Sequence, residues 1–253
     1  MKTKRERNHE SGNVLVYVLI AIVLFAALSF TLSRQTDTSE TGGLDDQRVQ
    51  IVATELITYA ANAKAALDKM EFSNIYIEEV DFTLPSDSTF NDAPTIKKIY
   101  HPDGGGLNLG TLPEKVAANG VTDPAPGWYM GRFNNVEWTP LGPGNTAGAG
   151  GTEAPYTDIV LTAYGITQPV CAAINEKITG STTIPSMTDS VKETLVPKTI
   201  GATTIFVAGT NTDFTTDPAN TSPPPVCAAC HNVASLCVEE GGVYGFYNVL
   251  ATR

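Results

Sequence analysis

NVLVYVLIAIVLFAALSFTL, Asn13 to Leu32, is an unbroken run of twenty residues without a charge. At helical rise such a run covers about 30 Å, the thickness of a bilayer's hydrocarbon core, and it is read as a transmembrane helix over residues 13–34. The polar stretch before it holds Lys2, Lys4, Arg5 and Arg7, whereas Arg34 and then Asp37, Glu40, Asp45 and Asp46 come after it. Positive charge is retained on the cytoplasmic side, which orients the amino end inward and everything beyond about Arg34 outward. No small-x-small cleavage site follows the apolar core in the register of an ordinary secretory signal.

The chain of 253 residues is long enough to bury a core of its own. With 27 acidic and 16 basic residues, its formal net charge of −11 repels phosphate backbones and argues against nucleic acid as a partner. Its 22 glycines, 16 prolines and a charged share of only 17% point to a loop-rich α+β protein. The four cysteines are an even number in a chain whose bulk is directed to an oxidising compartment.

A short basic leader, Met1 to Gly12, ends in Ser11-Gly12 and runs without a spacer into the apolar helix. That arrangement resembles the class III signal of type IV pilins and of the pseudopilins of type II secretion. The resemblance covers about the first 35 residues. It implies cleavage after Gly12 by a prepilin peptidase-type enzyme, with Asn13 as the new amino terminus. It also implies packing of the helix against other pilin-like subunits, from an inner-membrane precursor with a periplasmic head toward a surface filament. Two positions depart from the family: Asn13 stands where an aromatic residue is usual, and Tyr17 where a glutamate is usual. The missing glutamate implies a minor subunit or assembly factor rather than a major one. A plain signal anchor carrying an extracytoplasmic binding domain is the alternative for this segment.

Beyond the membrane run, residues 35–43 read as a polar hinge ending in Gly42-Gly43, and residues 44–253 as the extracytoplasmic domain. Apolar residues at Val49, Val52, Leu56, Tyr59, Ala63, Ala66/Leu67 and Met70 form one stripe at three-four spacing, so a second, amphipathic helix begins near Asp45. In pilin-like proteins a β-sheet covers that stripe. From Ile75 the period becomes two, and Ile75 to Leu84 reads as a strand. Further strands are expected in 95–101, in 156–165, in 203–209 and in the terminal 241–253, with an aromatic hairpin in 127–138. Residues 141–155 are Gly-rich and read as a linker or loop. Thr167 and Pro169 open a short helix that carries Cys171. The expected architecture is α+β: a transmembrane helix, an amphipathic helix, then a mainly antiparallel sheet with short helices and long loops.

Cys227-Ala-Ala-Cys230-His231 has the spacing of a c-type haem attachment, with His231 as proximal ligand and Met130, Met187 or His101 as distal candidates. A membrane-anchored monohaem electron carrier is therefore the alternative to a filament subunit. The favoured use of the cysteines is structural, with no cofactor. A Cys171–Cys237 bridge would fasten the short helix to the terminal strand, and Cys227 and Cys230 would pair locally. Four cysteines nevertheless allow three connectivities. Oxygen-rich loops at Asn211, Asp213, Asp217 and Asn220, and at Asp87, Asn91 and Asp92, are calcium candidates without the spacing of a calcium loop. A solvated acidic loop is the preferred reading of both. No nucleophile elbow, zinc-protease helix or phosphate loop is present, and of three histidines one, His9, lies in the leader, so an enzyme is not expected.

Overall fold

The computed structural model describes residue 22 and residues 46–113, 115–133, 158–196 and 227–252. The leader with Gly12 and Asn13, the hinge, all of the expected transmembrane run except Ile22, and the strand expected at 203–209 lie outside the described residues. Ile22 is helical and exposed. Among the described residues, no helix is long and apolar enough to cross a membrane.

Helix α1 is described over residues 46–72. Its stripe is buried at Val52, Leu56, Ala63, Ala66, Leu67 and Met70 and half-buried at Val49 and Tyr59. Each large apolar side chain buried this way contributes about 1.5–3 kcal/mol relative to exposure. The helix closes in a Schellman turn. Asn74 adopts the left-handed conformation (φ 61°), its N–H donates to Glu71 O, and Ile75 N–H reaches back to Met70 O at 3.1 Å.

The segment after this turn differs from the expected strand over Ile75 to Leu84. It forms a 3-10 turn at Ile77–Glu79, and only Asp81 makes a β-bridge, to Lys98. Ile75, Ile77, Val80 and Phe82 are nonetheless all buried. The alternation recorded which side chains face inward, not a ladder of main-chain bonds. Residues 95–101 behave likewise: Thr95–Lys97 is a 3-10 turn, and Lys98 supplies the other half of that bridge.

Four strands form one antiparallel sheet in the order β1-β2-β4-β3: Gly127–Phe133, Asp158–Ile166, Val243–Ala251 and Ser235–Glu240 for β1, β2, β4 and β3 respectively. The aromatic segment at 127–138 thus contributes β1, whose described partner is β2; residues 134–157 lie outside the described residues. Strand β2 is buried at all nine positions. One face, with Met130, Ile159, Leu161, Phe246, Cys237 and Leu250, shares a core with α1 and with α2, Gln168–Thr179. The other face, with Val160, Tyr164, Leu236, Val238 and Tyr247, is covered by α3, Val191–Leu195, and by Cys227 and Cys230. α3 lies so close to β4 that a Cβ on Gly245 would stand 2.6 Å from a methyl of Val191.

Strands β3 and β4 meet through Gly241-Gly242, both at positive φ (58° and 83°), the backbone that a two-residue hairpin turn requires. This hairpin corrects the expected setting of Cys237, which lies on the edge strand β3 rather than on the terminal strand. β3 does not leave its outer edge bare. Asn175 on α2, fully buried, donates through Nδ2 to Cys237 O at 2.8 Å and accepts the Cys237 N–H on Oδ1 at 2.8 Å. Two residues further on, Glu239 N–H donates to Pro185 O, and Glu239 O accepts from Met187 N–H at 2.8 Å. A side-chain amide and a short extended segment thus stand where a fifth strand would pair.

Asn175→Ala leaves one buried N–H and one buried carbonyl of Cys237 unpaired and is expected to cost about 2–4 kcal/mol, read as a lowered urea midpoint at unchanged slope. Thr162 gives the contrasting case, because its hydroxyl is fully buried and has no hydrogen-bond partner. Thr162→Val is expected to raise stability by up to about 1 kcal/mol in the same titration.

Candidate functional site

Cys171 and Asn175 are one helical turn apart on α2, so both face β3. Cys171 is bonded to Cys237 with Cα atoms 5.4 Å apart, across 66 residues of sequence. A loop of that length corresponds to about 4 kcal/mol in the chain-entropy account, against about 2 kcal/mol for a bridge closing only three residues. The helix opens at Thr167 with Pro169 in its first turn and ends at Gly180 in the left-handed conformation. Thr167 lends its main chain rather than its side chain: its carbonyl accepts from Cys171 N–H, and its N–H donates to Val116 O.

Cys227 and Cys230 are bonded to each other around the 3-10 turn Ala228–Cys230. Both are buried against Leu236, Val238 and Tyr247, on the opposite face of the sheet from Cys171. Thioether attachment of haem needs both of these sulfurs. Here each is already bonded to the other and packed against the sheet. Of the distal candidates, Met187 shares this cluster, Met130 belongs to the other core, and His101 lies against the ring of Phe90 at 5.0 Å. The residues as arranged do not fit a covalently held haem.

The loop at Asp87, Asn91 and Asp92 is organised around an ammonium. Lys98, only 4% exposed, donates its Nζ to the carbonyls of Thr89, Phe90 (3.0 Å) and Asp92 (2.7 Å), which uses its three N–H bonds. Asp87 Oδ1 accepts from the N–H and hydroxyl of Thr89. Those bonds hold the Asp87 carboxyl below the usual carboxylate range, with the charge of Lys98 a smaller help. A side-chain cation thus sits where the loop's carbonyls converge. Among the described residues no group of three or more His, Cys, Asp or Glu is placed to hold a metal. Asn211, Asp213, Asp217 and Asn220 lie outside the described residues.

An apolar groove of about 430 Å³ lies beside β1. Leu109 to Leu112 and Pro126 to Met130 line it together with Phe82, Leu84, Tyr100 and Ala117. Tyr59 fastens the 108–110 segment: its hydroxyl donates to Asn108 O at 3.1 Å and accepts from Gly110 N–H at 2.9 Å, while its ring lies 4.5 Å from that of Trp128. Tyr129 donates to Ala125 O at 2.6 Å. Tyr100 is buried in all but 5% of its surface. Burial pushes the Tyr100 and Tyr129 phenols upward, so both stay neutral at physiological pH. The side chain of Phe133 and the whole of Trp138, in the same aromatic segment, lie outside the described residues.

Lys98, Asn175 and Tyr100 are the residues that sequence reasoning passed over. Asn175 is four residues from Cys171 on the helix's apolar stripe, a spacing that does signal an inward-facing amide. Lys98 lies between Ile96 and Ile99-Tyr100, where a lysine reads as solvated. Comparisons with family models, curated proteins and solved structures return no match.

Lys98→Met removes one cation and leaves three carbonyls to find other partners; the expected loss is about 3–5 kcal/mol, independent of added calcium, in equilibrium unfolding. Cys171→Ser is expected to lower stability by about 3–4 kcal/mol and Cys227→Ser by about half as much, compared under oxidising conditions.

Proposed function

We propose that the chain is a minor pilin-like or pseudopilin-like subunit, anchored in the inner membrane with its head outside, that acts in assembling a type IV pilus or type II secretion filament. The observation that carries this reading is the leader ending at Gly12 directly before twenty uncharged residues. Two features of the head support it: the apolar stripe of α1 shares a core with an antiparallel sheet, and two disulfides tie the domain. In this role the work is done by helix packing, and the partners are other pilin-like subunits and a processing peptidase. The head supplies a rigid, covalently tied body.

The test is the intact mass of the protein purified from its native membrane, with and without reductant. A chain short by residues 1–12, gaining four hydrogens on reduction, is the expected result, and Gly12→Val is expected to keep the leader. An uncut chain bearing one haem would replace the proposal with an anchored electron carrier. An uncut chain without haem would leave a signal-anchored binding domain.

A further inference from the structure

Asn119-Gly120 is the only Asn-Gly pair in the chain, and both residues are exposed in a turn. The turn leaves a fixed base: Thr167 N–H donates to Val116 O at 2.8 Å, Ala118 N–H donates to Gly165 O at 2.7 Å, and Ala117 bridges Ile166. Gly120 itself takes φ 89°, a left-handed conformation that glycine adopts without strain. Among the described residues, a Cβ placed there would meet nothing within 4 Å, and neither the Asn119 side chain nor the Gly120 N–H has a hydrogen-bond partner. Asp103-Gly104 pairs an acidic side chain with the same small neighbour in the opposite setting. Gly104 N–H donates to His101 O at 3.0 Å, Asp103 Oδ2 accepts from Thr95 Oγ1 at 3.1 Å, and a Cβ on Gly104 would stand 2.2 Å from Lys98 O.

We infer that Asn119 is a self-modification site, at which the folded protein loses the side-chain amide through a cyclic imide and becomes aspartate or isoaspartate. The Gly120 main-chain nitrogen, deprotonated by hydroxide, attacks Cγ of Asn119. The N–Cγ bond forms, the Cγ–Nδ2 bond breaks, and Nδ2 leaves as ammonia with a proton taken from water. A second water opens the imide at the N–Cγ bond, giving aspartate, or at the bond between Gly120 N and the Asn119 carbonyl carbon, giving isoaspartate. Overall one water is consumed and one ammonia released, with no change of oxidation state. A side chain on the following residue crowds this attack, and every other described asparagine is followed by a residue that carries one. Exposed and unbonded, Asn119 and Gly120 rotate into the attacking geometry without breaking a contact, whereas Asp103-Gly104 would have to break several. Each event adds one negative charge to the formal −11, and the isoaspartate form lengthens the main chain between Ala118 and Gly120 by one methylene. This assignment is independent of leader processing and stands or falls separately from it.

The test holds the full-length chain, in lipid nanodiscs, in mildly alkaline buffer, either folded or in urea, and then digests it after Lys and Arg. Peptides 116–132 and 99–115 report on Asn119 and Asp103 separately. From the folded protein, 116–132 is expected to gain about one dalton, the exchange of an amide for an acid, and to accept a methyl group from a protein-isoaspartate methyltransferase, while 99–115 accepts none; from urea both accept it. The gain is expected to be slower in neutral buffer, where less of the attacking nitrogen is deprotonated. Asn119→Gln, which would need a larger ring, is expected to abolish the gain with an unaltered urea midpoint, and Gly120→Ala to slow it about tenfold through crowding by its Cβ. Conversion of 116–132 in urea but not in the folded protein would overturn the inference, because the turn would then be locked as Asp103-Gly104 is. An undiminished rate in Gly120→Ala, or methyl acceptance by 99–115 of the folded protein equal to that of 116–132, would overturn it as well.

Discussion

A strand with no solvent-facing residue needs cover on both sides, and β2 is such a strand. The remainder of the head is built around that constraint. Among the described residues, one layer is the α1 stripe with α2, and the other is the five-residue α3 with the Cys227–Cys230 turn. A helix of five residues such as α3 has no stability of its own. Two local devices compensate. Gly245 lets α3 approach the sheet closely, and the short disulfide keeps the 227–230 turn compact against Tyr247. The layer of α1 and α2 instead carries the long-range tie, Cys171 to Cys237, where constraining a large loop has the greater effect on the unfolded chain.

Two polar side chains inside the head take roles usually filled by something larger. Lys98 places an ammonium among three carbonyls in a loop whose acidic residues suggest a bound cation, and Asn175 places an amide against an edge where a strand would pair. Both are buried, and burying either group without partners would cost several kcal/mol. Each therefore specifies one arrangement of its surroundings, because a shift of either loop or helix breaks several bonds together.

The sequence made the main elements legible where burial and periodicity coincide. α1 shows its stripe because one face is wet; the segment at 156–165 reads as a strand because β-branched and aromatic residues dominate it; Thr167 and Pro169 mark where α2 opens. Periodicity misled at 75–84, where alternating burial arose without a neighbouring strand to pair with. β3 was obscured by the haem-like motif next to it, although Gly241-Gly242 between two apolar runs is a hairpin signal. The groove left no trace in sequence, since Phe82, Tyr100 and Leu109 belong to segments that only the tertiary fold brings to β1. Lys98 was illegible for a related reason: a solvated lysine and one that bonds three buried carbonyls have the same local sequence.

The closed edge at β3 limits how the sheet can grow. A sheet open on both sides can pass strand addition from copy to copy, which is how edge pairing grows into fibres. At β3 the outward main-chain groups of Cys237 and Glu239 are already bonded to Asn175 and to residues 185–187, so that edge has nothing to offer a further strand. Growth through β3 would have to break the bonds that Asn175 and residues 185–187 already make there. Any extended assembly through the sheet would have to use something other than β3.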